Sequence, residues 1–183
     1  MIAARAKRPY ARPPKRLAET QLYTYALASL ARRAHSTAEL HQRLARRAAE
    51  PRAVAAVLTR LTAAGLLDDR RFAFQFASYA AGARRFGRYR IARELRRRGV
   101  AEEFIAAALA EVFPDEQDEA ALVRARLARR LRPHRPPYTE KVLQSAYRSL
   151  LRAGFPSAII LGELRRRRRQ PRDEPFEPEA ENN

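Results

Sequence analysis

The chain is 183 residues long, carries 38 basic against 20 acidic residues for a net charge of +18, and contains no cysteine. That length can bury a core of one or two domains. The missing thiols exclude disulfides, thiolate metal sites and cysteine nucleophiles, and the charge favours a polyanionic partner. No segment approaches the eighteen or so apolar residues of a membrane span and no apolar leader opens the chain, so a cytoplasmic protein without a membrane partner is expected. Of the bases 35 are arginine; a genome rich in G and C accounts for arginine over lysine, but not for base over acid.

Residues 1–20 are expected to be a disordered basic arm, because Arg5, Lys7, Arg8, Arg12, Lys15 and Arg16 alternate with Pro9, Pro13 and Pro14 and little can be buried there. Residues 21–65 read as a first helical repeat. Leu22, Tyr23, Ala26, Leu27 and Leu30 predict a helix over 21–34. Ser36 with Glu39 three residues on is a capping box that starts a second, with Leu40 and Leu44 on its buried side. Pro51 opens a third, which Val54, Val57, Leu58 and Leu61 carry to a stop at Gly65.

Residues 66–113 form the second repeat. Asp68 and Asp69 are positioned to cap a helix whose face is predicted to be Phe72, Phe76, Tyr79 and Ala80, with Phe74 on the opposite side. The next helix, 87–98, places Ile91, Ala92 and Leu95 on one arc and Arg90, Arg93 and Arg97 on another. Between 84 and 98 there are eight arginines and one acid, Glu94. The third repeat, 114–169, opens with acids from Asp115 to Glu119, where the helix macrodipole favours them. Leu122, Ala125, Leu127 and Leu131 then alternate with arginines. A Pro-rich loop leads to a helix over 138–153, and Pro156 opens a last helix ending in Arg165 to Arg169. Residues 170–183 are expected to be a disordered acidic tail.

The repeats are visible as spacing. Leu44, Leu95 and Leu150 are followed four residues later by Ala48, Gly99 and Gly154, then by Val54, Ile105 and Ile160, then by Leu58, Leu109 and Leu164. Such self-similarity predicts an all-α fold of three tandem three-helix repeats in an elongated, curved arrangement.

The segments GLLDDRRFA, GRYRIARELRRRGV and LLRAGFPSAII resemble the RecX family of bacterial regulatory proteins. A Leu-Asp-Asp capped helix is followed there by a G-x-x-x-I-x-x-E-L-x-x-x-G-I/V signature, matched by Gly87, Ile91, Glu94, Leu95, Gly99 and Val100. The likeness spans about residues 22–166. It implies an all-helical protein that binds RecA–DNA filaments and inhibits RecA ATP hydrolysis, strand exchange and coprotease activity in recombination and the SOS response. The filament groove or the growing end would be the point of attack. RecA and single-stranded DNA are then the partners, with double-stranded DNA secondary and the protein a monomer.

Catalysis finds little support. There is no phosphate-cradling glycine loop among the six glycines. His35, His41 and His134 lack metal-ligand spacing and read as exposed helix-end residues, so no metal or other cofactor is expected. Asp68 and Asp69 would suit a Mg²⁺-dependent nuclease, but read better as caps. The expected contact residues are Arg84, Arg85, Arg88, Arg90, Arg93 and Arg97, with Arg12, Lys15, Arg16, Arg165, Arg166 and Arg167 as accessory anchors. A charged helix is often only a solvated face, and arginine forks suit DNA phosphate and protein carboxylate alike. An independent transcriptional regulator with helix-turn-helix-like repeats is the alternative. Its weakness is that the basic helix has almost no Asn, Gln, Ser or Thr with which to read bases.

Overall fold

A computed structural model describes residues 16–134 and 136–169, and among these the regular elements are nine α-helices. Arg12, Lys15 and the acidic tail lie outside the described residues. No described helix is long and apolar enough to cross a membrane. The chain divides into two compact units, Met1–Asp68 and Asp69–Asn183.

The first unit contains α1 (Glu19–Arg32), α2 (Thr37–Ala45) and α3 (Pro51–Ala63). Ser36 Oγ accepts the Glu39 N–H at 3.1 Å, as the capping pattern predicts. Pro51 takes the first turn of α3, where its missing N–H costs no helical bond. Gly65 closes α3 at φ 66°, with Gly65 N–H donating to the Thr62 carbonyl at 2.9 Å and Leu66 N–H to that of Leu61 at 3.0 Å. This paired pattern needs a left-handed residue, which glycine adopts without a Cβ penalty. Leu22, Ala26, Leu40, Leu44, Val54, Val57 and Leu61 form the core.

Two features of this unit differ from expectation. Leu17 N–H donates to the Arg47 carbonyl at 2.7 Å and Arg16 Nη1 to that of Ala48 at 3.1 Å, so Arg16 is built into the fold. Those contacts use carbonyls left over where α2 ends, a corner that Ala48 turns without entering the left-handed region. His35 is the second correction. It is 5 % exposed, in the α1–α2 turn, with Nδ1 3.5 Å from Glu39 Oε2, whereas His41 and His134 are exposed.

The second unit holds two three-helix sets: α4 (Asp69–Gly82), α5 (Arg88–Arg97) and α6 (Glu102–Val112), then α7 (Glu116–Leu131), α8 (Glu140–Arg152) and α9 (Ser157–Arg169). Each set encloses its own core, one around Phe72, Ile91, Leu95 and Ile105, the other around Leu127, Leu143, Leu150 and Ile160. Leu44, Leu95 and Leu150 are buried in all three sets, as are Val54, Ile105 and Ile160. The repeat spacing therefore marks equivalent core positions.

Of the face predicted for α4, Phe72 and Ala80 are buried and Phe76 packs half-buried against the core, and Tyr79 alone departs from it. Phe72, Ala73, Ala77, Ala80 and Ala81 are buried, while Tyr79 is 59 % exposed with Arg84 over its ring. Small side chains let α4 lie close along α6, and a tyrosine in that seam would hold the helices apart. In α7 the buried residues are Glu119, Val123, Leu127 and Leu131, and Ala125 is exposed.

Candidate nucleic-acid interface

The basic helix α5 is held by the third repeat, and its backbone shows how. Gly87, its N-cap, brings no side chain to satisfy the free amides of the first turn. The third repeat supplies the acceptors. Gly87 N–H donates to the Ala153 carbonyl at 2.9 Å and Tyr89 N–H to that of Gly154 at 3.0 Å. Arg88 N–H donates to Glu119 Oε1 at 2.9 Å. A Cβ at Gly87 would stand 2.5 Å from the Gly154 oxygen, and one at Gly154 would stand 2.3 Å from Arg90 N. Only two glycines allow the start of α5 to press against the end of α8. Gly154 also has φ 88° and completes the turn out of α8.

Glu119 is the centre of this junction. It is fully buried on the first turn of α7, and its Oε2 lies 2.5 Å from Arg88 Nε. The carboxylate thus serves the N-terminus of α5 as well as the acidic start of α7, whose own cap is Asp115, accepting the Asp118 N–H at 2.9 Å. Arg88, expected as a contact residue, is therefore bound to an internal acid and turned toward the Phe113 ring.

The remaining arginines of the segment sit differently. Arg84 is exposed beside Tyr79 and Phe86. Arg93 is exposed, and Arg97 is exposed with Nη2 2.8 Å from Glu94 Oε2. Arg90 is half-buried, its guanidinium 3.8 Å from the centre of the Phe86 ring and its Nε without an acceptor. Arg85 holds a left-handed backbone at φ 52°, unusual for a residue with a Cβ, and its carbonyl accepts Arg126 Nη1 at 3.2 Å. Among the accessory residues, Arg165 and Arg166 are exposed on α9 and Arg167 is half-buried.

Sequence reasoning missed Arg126, Arg129 and Arg130. They lie on α7 and join Arg85 around a cleft of about 310 Å³, floored by Leu127 and Leu150 and edged by Ser149. In the sequence they are only the polar side of an amphipathic helix, 41 or more residues from Arg85, and no local signal connects the two. Burial, then the charges of Arg90, Arg129, Arg85 and Arg130, hold Arg126 below the usual guanidinium pKa. Some basic side chains elsewhere in this unit meet acids, as in Arg96 with Glu102 and Arg124 with Glu163. Asp68 and Asp69 stand at the start of α4, and among the described residues no three His, Asp or Glu gather in metal-binding geometry.

Comparison with known proteins identifies the first two three-helix sets. Residues 23–61 match the family model described as RecX, first three-helix domain, and residues 68–109 the model of RecX, second three-helix domain. The chain is 36% identical over 160 residues to "Regulatory protein RecX" of Mycobacterium sp. (strain JLS), covering 82% of this chain and 87% of that protein. It is 39% identical over 142 residues to a protein of the same name from Thermus thermophilus, covering 78% and 89%. The crystal structure of RecX from Lactobacillus salivarius shares the fold with a TM-score of 0.72 at 16% identity, covering 81% of this chain and 95% of that one. With this identity sustained over most of both chains, and the same helical fold beneath it, the chain belongs to the RecX family of regulatory proteins.

Proposed function

We propose that this protein engages the RecA–DNA filament and inhibits RecA ATP hydrolysis, strand exchange and coprotease activity, with no catalysis of its own. The observation that carries the reading is the 36% identity to a regulatory protein RecX across 82% of the chain. The unneutralised arginines give it a physical route. Arg84, Arg85, Arg90 and Arg93, with Arg126, Arg129 and Arg130, offer guanidinium donors to a polyanionic fibre. Arg88 is left out of that set because Glu119 holds it.

Inhibition by this route requires only that the bound protein oppose a rearrangement of the filament or stop its growth. ATP turnover by RecA of the same organism on single-stranded DNA, with and without the protein, is the test. Inhibition at or below one protein per RecA, independent of DNA sequence, is expected. Unchanged turnover, together with selective binding to one duplex sequence, would replace this reading with that of a transcriptional regulator.

A further inference from the structure

The cleft formed by the turn before α5, α7 and α8 stands apart from the other basic surfaces of the unit. Arg85, Arg126, Arg129 and Arg130 surround it, and among the described residues none is paired with a carboxylate. Their internal partners are neutral: Arg126 Nη1 donates to the Arg85 carbonyl at 3.2 Å, and Arg130 Nη2 to Ser145 Oγ at 3.0 Å. Arg90 adds a fifth charge nearby, with its Nε buried and unmatched.

Like charges gathered around one concavity repel, and the repulsion is stronger where a wall of protein replaces water. The fold answers such repulsion with acids at Arg96, Arg97 and Arg124, and leaves it unanswered here. The arrangement is complementary to an anion that is both multivalent and rich in acceptors.

We infer that the Arg85–Arg126–Arg129–Arg130 cleft is a phosphate-binding site, with Arg126 as its fixed centre and Ser149 at its edge. A carboxylate has two oxygens and is satisfied by a single arginine fork, whereas a phosphate group offers more acceptor positions and, as a monoester or free ion, close to two charges. The volume of about 310 Å³ is at the lower end for small-ligand sites and leaves room for a phosphate with its waters. Non-bridging phosphoryl oxygens are common to free phosphate and to the phosphodiester backbone, which carries one charge per phosphate and so meets these arginines through successive phosphates. Assigning it to the backbone rests on the proposed role at the RecA–DNA filament.

The test uses the full chain. Its thermal midpoint is measured in sodium phosphate and in sodium chloride of equal ionic strength, and its binding to labelled oligo(dT) is titrated across salt concentrations. Arg126→Gln/Arg129→Gln is compared with Arg70→Gln, an exposed arginine on α4 outside the cleft. Phosphate is expected to raise the wild-type and Arg70→Gln midpoints above those in chloride, with no such rise in the double variant. The slope of log K against log salt should be shallower in the double variant by about 1.4, at roughly 0.7 for each single-strand phosphate that is no longer neutralised. Competition between phosphate and oligo(dT) assigns the site to the backbone, and phosphate binding without competition assigns it to free phosphate. Both carry the inference.

No phosphate effect beyond that of chloride, or an equal effect in the double variant, would overturn it. The RecA assay is read separately. A wild type that binds phosphate at this cleft but leaves RecA turnover unchanged removes the proposed function and keeps the site. One that inhibits RecA without binding phosphate does the reverse.

Discussion

Replacing Glu119 by alanine tests whether α5 depends on the third repeat for its position. The substitution removes the acceptor of the Arg88 N–H at 2.9 Å and the partner of Arg88 Nε at 2.5 Å. A buried donor left without an acceptor costs about 1–3 kcal/mol. Breaking a buried ion pair by deleting one member costs about 3–5 kcal/mol, much of it for the charge left stranded. Here the stranded member is Arg88, whose side chain is 35% exposed, so water recovers part of its hydration and the lower end of that range applies. The two losses overlap, and the expected total is about 3 kcal/mol. For a unit of roughly 100 residues, with an unfolding entropy of about 2.1 cal/mol/K per residue, this lowers the midpoint by about 14 °C. Glu119→Gln keeps an oxygen for the Arg88 amide and loses the charge, so about 1–2 kcal/mol is expected. Urea unfolding followed by circular dichroism measures both. If alanine costs under about 0.5 kcal/mol, or glutamine costs as much as alanine, then Glu119 does not anchor α5 in the manner described.

Other perturbations probe the same fold from different sides. Gly87→Ala forces a Cβ to within 2.5 Å of the Gly154 backbone and should destabilise by about 1–3 kcal/mol, as overpacking does, with a matching loss of urea midpoint. Gly82→Ala, where a Cβ meets nothing within 4 Å, is the control and should leave the midpoint at or above that of wild type. Leu95→Ala and Leu150→Ala each truncate a buried core leucine and should each cost about 2–5 kcal/mol, measured the same way. His35 gives a pH signature. Burial, then the charges of Arg33 and Arg43, lower its pKa from the ordinary 6.5, against an opposing pull from Glu39 and a Ser29 backbone hydrogen bond. The unfolded chain therefore binds the proton more readily, and the contribution is fully present above pH 6.5 and lost as pH falls through the lower folded value. Urea midpoints taken between pH 7.5 and 5 should fall toward acid in wild type, and fall less in His35→Asn.

Much of the fold was legible because it depends on short-range chemistry. Ser36 with Glu39, Pro51 and Gly65 mark ends that any local chain would recognise, and the observed caps and left-handed turn follow. The predicted first helix is displaced by two residues at each end, since a terminal turn is decided by packing once a strong cap is absent. Tyr79 was misplaced for a related reason. Hydrophobic periodicity ranks a large ring above alanine, but a close helix pair selects the smaller residue for its seam. His35 was misread because spacing along the chain does not report the wall that α1 and α2 build around the turn between them.

The candidate site was half legible. Density of arginine around α5 is a property of the sequence, and it located the region. Which of those side chains is available is a property of three-dimensional neighbours. Arg88 is claimed by Glu119 from 31 residues away, and Arg85 gains Arg126 from 41 away. Helix identity, caps and repeated core positions follow from interactions spanning a few residues, so a linear pattern is enough to specify them. The pairing of charges follows from distance in space, because Coulomb energy and desolvation depend on where side chains meet, and that was decided only when the third repeat closed on the start of α5.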